Sequence, residues 1–334
     1  MARSIFVGSI LLLAAVSIAV WTNRGAEPTR LNDSDRLGPS QVTQVQQRQP
    51  PSFDLRDLSI PAAEIRGGGP PKDGIPAITS PQTVAAAEAR FLKANDRVVG
   101  VARNGQARAY PISILTQHEI VNDKLGDTPI AVTYCPLCDS VIVFDRTTDI
   151  GVKEFGVSGL LYNSNVLMYD RSEKESLWSQ MKMEGVSGPA KGIKLRTLPM
   201  ELTTWNSWQA KHPETDVMST ELGFQRDYRR NPYTSYFKQP GLMFPAVPQN
   251  ASLPLKERVI AVWAGTDSIV VPASYFRGKS GTASVAVNGE QVEVAYDAST
   301  DSLRVNAAGE GVQWANSFWF AWYAFHPSTK IFQK

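Results

Sequence analysis

Two cysteines separated by two residues are the side chains best suited to chemistry in this sequence, and they are the only cysteines among its 334 residues. Cys135 and Cys138 lie in the segment CPLC, with β-prone runs on either side at 130–134 and 140–145. Strand-forming runs around a short Pro-containing segment predict a β-hairpin whose turn carries both sulfurs. Such a turn is typical of small metal sites, in which two thiolates bind one soft ion.

The cysteine pair has other interpretations at this level. It is compatible with a structural disulfide, with two thiols that fill a core, and with a thioredoxin-type redox motif. A thioredoxin-type C-x-x-C opens a helix, which lowers the pKa of its first thiol. Val141, Val143 and Phe144 favour a strand instead, so the sequence favours the metal turn over the redox helix.

A metal site needs further ligands, and His118 is the strongest candidate. It lies in the run 112–123, whose apolar spacing predicts a helix packed on a sheet. Two thiolates and one imidazole suit copper best and zinc second, because a structural zinc normally has four ligands and no second cysteine pair exists. Met168 or Met183 is the alternative third ligand, since a thioether is also soft.

Polar side chains set among apolar ones in the segment 155–180 predict a lined pocket near these ligands. In an oxidase mechanism, some would orient a substrate while Glu119 or Asp170 handles protons. The alternative is turn chemistry, because Asn-Ser-Asn and Asp-Arg-Ser favour turns. The predicted substrate-binding residues are Ser158, Tyr162, Asn163, Trp178 and Gln180.

The composition of the chain indicates the class of fold that positions these residues. The chain has 22 prolines, 24 glycines and many short Val/Ile/Thr runs, which favour a β-rich α+β fold with long ordered connections. Its net charge is +2 with no long run of either sign, so nothing indicates nucleic-acid binding.

An internal repeat predicts two related β-rich halves with short helices, the second half shortened. Residues 96–115 align without gaps on 257–276, and 203–218 align on 317–332, in the same order. The second half has no counterpart of His118 or of the cysteine pair. Features shared by the halves are therefore expected to be scaffold, and His212 and His326 to be structural.

Domain boundaries follow from hydropathy. Residues 1–21 have a basic start and an apolar stretch, which predicts an uncleaved membrane anchor or a signal segment. Residues 22–52 are polar and predict a flexible tether. The first half, with the cysteine site, then spans 53–225 and the second half 226–334. The expected location is the cell envelope, anchored in the inner membrane and facing the periplasm, or secreted if the signal is cleaved.

Several motifs together resemble a bacterial family of unknown function, family 3179. They are TYCPLC, FGVSGLLYNS, MYDR and LWSQ, and the likeness runs from about residue 53 to about 236. The resemblance implies that His118-Glu119, both cysteines and several of the polar residues above occupy signature positions. Asp139 departs from the pattern, which has Gly there. A glycine would suit a positive φ, and Asp can occupy that region at modest cost.

The sequence thus predicts an exported, membrane-tethered protein with a soft, copper-type Cys/Cys/His site for redox chemistry or metal handling. It would be a metal- or thiol-dependent oxidoreductase if it is an enzyme, and its partner would be a small molecule or an envelope protein. The alternatives are a metal-free thiol–disulfide oxidoreductase, and a non-catalytic envelope scaffold or binding protein with a structural disulfide.

Overall fold

Strands dominate the chain, as its composition predicts. The computed structural model describes residues 53–333 and shows a β-rich α+β fold with few, short helices. The predicted anchor and tether, at 1–21 and 22–52, lie outside the described residues. Between residues 53 and 333, no helix combines the length and apolar character needed to cross a membrane.

The elements of the described chain have the following bounds. The first strands are β1 Ile65–Gly67, β2 Ile78–Thr79, β3 Thr83–Ala85, β4 Arg97–Arg103, β5 Gln106–Pro111, β6 Ile120–Leu125, β7 Thr128–Cys135, β8 Ser140–Asp145, β9 Thr147–Thr148, β10 Gly151–Val152, β11 Phe155–Tyr162 and β12 Asn165–Asp170. The later strands are β13 Leu177–Ser179, β14 Glu184–Gly185, β15 Glu201–Thr204, β16 Asp216–Met218, β17 Arg258–Ala264, β18 Asp267–Pro272, β19 Gly281–Val287, β20 Glu290–Asp297, β21 Ser302–Ala308, β22 Gln313–Phe318 and β23 Lys330–Ile331. The α-helices are Ile112–His118, Trp205–Lys211, Thr234–Lys238 and Trp319–Phe325, and the 3-10 helices are Ala62–Glu64, Ala86–Glu88, Gly188–Ala190 and Ala273–Phe276.

The predicted cysteine hairpin forms the centre of the largest sheet. This sheet has eight strands in the order β2-β6-β7-β8-β22-β17-β18-β23. Every residue of β8 is buried, because apolar clusters cover both faces of the sheet. Strands buried on both faces carry near-continuous apolar runs, which explains the unbroken apolar character of 141–144. The sheet also joins both predicted halves, since β8 pairs with β22 at Val141 and Asn316.

The predicted helix over 112–123 is too long. The helix ends at His118, and Ile120–Leu125 forms strand β6 against β7. Glu119 has a φ of 59°, a left-handed conformation that no helix continues through. Pairing with a buried strand has therefore overridden the helical spacing of the apolar residues, which fits a short strand equally well.

Two smaller sheets complete the part that surrounds the hairpin. One has the order β1-β11-β12-β13-β14 and contributes the segment 155–180. The other has the order β15-β4-β5-β16-β3. A further three-stranded meander, β19-β20-β21, belongs to the second half of the chain.

The two aligned segments adopt the same pairing scheme. In the first half β4 and β5 pair Val98 with Pro111, and in the second half β17 and β18 pair Val259 with Pro272. A returning strand then adds in parallel to each hairpin, β16 on β5 and β23 on β18. The alignment thus corresponds to a shared strand arrangement. That the halves arose by duplication, and the division into domains at 225, stay predictions.

Candidate functional site

The cysteine turn closes the β7–β8 hairpin. Cys135 pairs with Ser140 as the last pair of the ladder, and the amide of Cys138 donates to the carbonyl of Cys135 across 3.1 Å. Asp139 has a φ of 44°, so the position that is usually Gly in the resembled family does require a left-handed residue. Pairing and turn together place both thiols on the same side of the hairpin end.

Both sulfurs converge on one carbonyl oxygen. The Sγ of Cys135 lies 3.7 Å, and that of Cys138 3.2 Å, from the carbonyl oxygen of Ser164. The cysteines are not joined by a disulfide, and their exposed fractions are only 1% and 0%. Burial raises the pKa of the Cys138 thiol, and a hydrogen bond with Cys135 adds to that rise. Cys138 is therefore a protonated thiol, enclosed in the core beside Cys135.

The Ser164 carbonyl is held by a two-residue turn. Asn163 and Ser164 have φ values of 51° and 61°, and they connect β11 to β12. Positive φ at both central residues is typical of a type I′ hairpin, for which Asn is favoured. The Asn163 side chain also donates to the carbonyl of Val247 across 2.9 Å and accepts from its amide across 3.0 Å. Asn163, one of the residues predicted to bind substrate, thus fixes this turn to the segment at Val247.

A chain of buried amides and hydroxyls lies beside the cysteine turn. The Oε1 atom of Gln180 accepts from the Nδ2 of Asn165 and from the Oγ of Ser140, both across 2.8 Å. Its Nε2 donates to the hydroxyl of Thr133 across 2.9 Å. A satisfied polar network of this kind rigidifies a core. Gln180 therefore braces both strands of the hairpin.

Two arginines neutralise the aspartate of the turn. Arg97 donates to both carboxylate oxygens of Asp139, at 2.9 and 3.1 Å, and the Nε of Arg258 donates across 3.1 Å. Tyr134 adds a hydroxyl donor at 2.9 Å. Burial alone would raise the pKa of Asp139, but the two guanidinium charges hold it below its usual value. Arg97 and Arg258 occupy matching positions in the two aligned segments.

His118 does not act as a third ligand in this arrangement. Its Nδ1 lies 2.7 Å from the carbonyl oxygen of Pro76, and its Nε2 lies 2.8 Å from the hydroxyl of Tyr228. Both ring nitrogens therefore have protein partners. Among residues 53–333, no group of three or more His, Cys, Asp or Glu side chains could hold a metal ion. The predicted set of Cys135, Cys138 and His118 is thus not assembled.

Glu119 is the most perturbed acid near the cysteine turn. It follows the helix Ile112–His118, and its carbonyl accepts from the amide of Tyr134 across 2.8 Å, one residue before Cys135. Burial raises the pKa of its carboxyl to about 8. Tyr233 lies near both Glu119 and Cys135, which add to the rise in its pKa that burial mainly causes. Glu119 is therefore a protonated acid at neutral pH in the same neighbourhood as Cys135.

The other predicted residues have internal contacts. The Trp178 indole donates to Asp170 across 2.6 Å, and both side chains are buried. The Ser158 hydroxyl donates to the carbonyl of Leu167 and accepts from the amide of Leu160, at a bulge of β11. Tyr162 packs edge-on against a phenylalanine. These contacts favour the turn-chemistry interpretation of the segment 155–180 over an open pocket.

Sequence reasoning missed several residues that surround the thiols. Ser140, Asn165 and Thr133 brace the hairpin, and the two arginines neutralise its turn. Asn165 belongs to the Asn-Ser-Asn run, and Arg97 and Arg258 open both aligned segments. The sequence motifs therefore contained these residues, but their proximity to the cysteine turn depends on the fold.

The fold and site define a class: a β-rich α+β protein with a buried dithiol at the end of a central hairpin. The chain belongs to the family described as a protein of unknown function, DUF3179, which matches residues 72–313. That match covers most of the chain and agrees with the family that the sequence motifs indicate. No curated protein and no solved structure matches the chain.

Proposed function

We propose that Cys135 and Cys138 hold one soft metal ion, Cu(I) in preference to Zn(II), in a buried two-thiolate site. The observation that carries this proposal is the convergence of both sulfurs on the Ser164 carbonyl oxygen, at 3.7 and 3.2 Å. Two sulfurs can bind the same ion only if both side chains point toward one position. Thiolate is the ligand type that selects Cu(I), and a structural zinc would need more ligands than the pair offers.

Methionine side chains supply the additional soft ligand in this proposal. Met168, Met181 and Met183 belong to the same core cluster as the two cysteines. A thioether is a soft, neutral ligand that suits Cu(I). His118 is not part of this set, because both of its ring nitrogens have other partners. Met168 and Met183 were the alternative ligands that the sequence offered.

Because both cysteines are buried, an ion bound by them would be enclosed in the core, away from solvent. Both cysteines are almost fully enclosed, and the Gln180 network holds the two strands that carry them. Binding the metal displaces the thiol protons, so affinity rises with pH. Redox chemistry or metal handling at this site would act on a small molecule or an envelope protein. In this proposal the domain is exported and tethered by the apolar segment 1–21.

Metal content tests the proposal. The full chain is loaded anaerobically with Cu(I), desalted and assayed by elemental analysis, and the scatterers around copper are counted by X-ray absorption. We expect one copper per chain with sulfur neighbours, and loss of copper from the Cys135→Ser, Cys138→Ser double variant. A matched control, His118→Gln, should keep its copper. A chain that binds no copper, or a double variant that retains it on sulfur, would overturn the proposal.

One observation favours a second candidate, a metal-free thiol–disulfide pair: Cys135 lies close enough to Cys138 to contribute to the raised pKa of its thiol. In that reaction Cys135 and Cys138 lose two protons and two electrons to an acceptor disulfide and form one S–S bond. Exchange needs an attacking thiolate to reach a sulfur, which burial opposes. Mass spectrometry of the chain equilibrated in thiol buffers of graded potential gives the fraction oxidised. If the serine variants change neither metal content, stability nor phenotype, only an envelope scaffold remains.

A further inference from the structure

An open depression lies on the second half of the chain, next to the cysteine turn. Its volume is about 360 Å³, within the range of small-ligand sites. It lies where β17 begins and β18 and β22 end. Its walls include Phe237, Phe318, Lys256, Arg258, Ser274 and Tyr296. No residue predicted from the sequence to bind substrate belongs to this wall.

The acidic groups at the depression are already satisfied. Asp301 accepts from the Tyr296 hydroxyl across 2.9 Å and from the Nη1 of Arg258. Glu257 accepts from the amide of Ser274 across 2.7 Å. Each carboxylate therefore has a protein partner, and the positive charges of Lys256 and Arg258 on the same wall balance the two negative charges.

The donors at the depression are not all satisfied. Arg258 uses its Nε on Asp139 and its Nη1 on Asp301. In the described part of the chain, its Nη2 and the hydroxyl of Ser274 have no hydrogen-bond partner. A guanidinium group binds carboxylates strongly because its N–H donors are fixed in a plane. Lys256 adds a second positive charge to the same wall.

One partly exposed aromatic ring, that of Phe237, also lines the depression, and the buried ring of Phe318 supports it. Phe237 and Phe318 pack edge-to-face, with ring centroids 5.7 Å apart, and both line the depression. We propose that the depression binds a small organic carboxylate with an apolar body. The carboxylate contacts the Nη2 of Arg258 and the Ser274 hydroxyl, and the body packs on Phe237.

This site is linked to the cysteine turn but does not depend on a metal. The amide of Phe318 donates to the carbonyl of Cys138 across 2.7 Å, and Arg258 also contacts Asp139. A ligand bound to Arg258 would therefore contact a residue that itself contacts the cysteine turn through Asp139. Binding is measurable on the metal-free chain, so it fails or succeeds separately from the Cu(I) proposal.

Four probes of similar size or charge test the class of ligand by isothermal titration calorimetry. Benzoate carries both features, benzamide lacks the charge, benzylammonium reverses it, and acetate lacks the apolar body. We expect benzoate to bind about tenfold or more tightly than benzamide and benzylammonium, the effect of one charged hydrogen-bonding contact. We expect it also to bind more tightly than acetate, which buries no apolar body. Equal binding of benzoate and benzamide, or no benzoate binding at all, would overturn the proposal.

The aligned arginines provide a matched pair of variants. Arg258→Gln should weaken benzoate binding about tenfold or more. Arg97→Gln also removes contacts with Asp139 but leaves the wall of the depression intact, so it should bind benzoate normally. Equal losses in both variants would assign the effect to the cysteine turn and contradict the proposal. The side chains of Ser274 and Phe237 do not contact Asp139. Ser274→Ala and Phe237→Ala should therefore each weaken benzoate binding, which tests the proposal even if Arg258→Gln does not fold.

Discussion

The two halves of the molecule share a frame but enclose different insertions. In the first half, the residues between β5 and β15 carry the cysteine hairpin, Glu119 and the polar segment 155–180. In the second half, the residues between β18 and β22 carry only a short 3-10 helix and the meander β19-β20-β21. The shared frame repeats the same pairings, so it supports the fold. The difference between the insertions locates the candidate chemistry in the first one.

The frame itself differs at one pair of atoms. In the first half the Trp208 indole donates to the hydroxyl of Thr215 across 2.9 Å. In the second half the matching atoms, the Nε1 of Trp322 and the Oγ1 of Thr329, are buried without a partner in the described chain. Both tryptophans pack against the matching histidine, His212 or His326, with ring centroids 4.1 and 4.0 Å apart. The second frame therefore keeps the packing of the first and loses its hydrogen bond.

The largest predicted effect concerns Asp139, the point at which both frames meet the cysteine turn. Asp139→Asn leaves the charges of Arg97 and Arg258 without their shared, buried partner. Removing one member of a buried ion pair costs roughly 3–5 kcal/mol. Urea unfolding should show that loss in the free energy of unfolding.

Asp301→Asn is the control for that loss. Asp301 also pairs with Arg258, but its side chain is 49% exposed, so its ion pair is worth about 0–1 kcal/mol. Equal losses of unfolding free energy in the two variants would mean that the ion pairs of Asp139 do not stabilise the contact between the two frames.

Local sequence signals were sufficient for the hairpins. Alternating and β-branched runs around CPLC predicted the β7–β8 hairpin, and Asn-Ser-Asn indicated the turn at Asn163. The Gly position occupied by Asp139 correctly indicated a positive φ. Each of these features depends on residues within a few positions of one another.

The contacts of the site depend on residues far apart in sequence. Arg97 is 42 positions, and Arg258 119 positions, from Asp139. His118 was predicted to face the cysteines from a helix that continued to 123. The helix instead ends at His118, and its ring hydrogen-bonds with the hydroxyl of Tyr228, 110 positions away. Side-chain spacing cannot specify such partners, because tertiary pairing decides where an element ends.

The insertion of the first half contains a buried acid, Glu119, which should make the free energy of unfolding depend on pH. Its pKa rises from 4.5 in the unfolded chain to about 8 in the fold. The folded chain therefore retains a proton that the unfolded chain releases. The free energy of unfolding should fall by about 1.4 kcal/mol per pH unit across that window and level off above it. Denaturant midpoints between pH 5 and 9 measure this fall.

Glu119→Gln is the matched variant for this pH dependence, because it keeps the shape and cannot ionise. Its unfolding free energy should vary less with pH, and it should exceed that of the parent protein at pH 8. An unchanged pH profile in the variant would show that another group is responsible. His326 titrates in the opposite sense, since burial lowers its pKa from 6.5 to about 4. Its contribution to stability therefore rises with pH between about 4 and 6.5 and offsets part of the Glu119 fall there, so the slope due to Glu119 is measured between about pH 6.5 and 8.

The smallest predicted effect tests the unequal frames directly. Thr215→Val leaves the Trp208 indole buried without an acceptor, which costs about 1 kcal/mol or somewhat more. Thr329→Val replaces a hydroxyl that already lacks a partner with a methyl group of the same shape, so it should be neutral or slightly stabilising. Thermal and urea unfolding of the two variants, measured side by side, gives the difference. Equal costs at both positions would show that the hydrogen bond does not distinguish the frames, and that packing of the tryptophan on its histidine stabilises each frame.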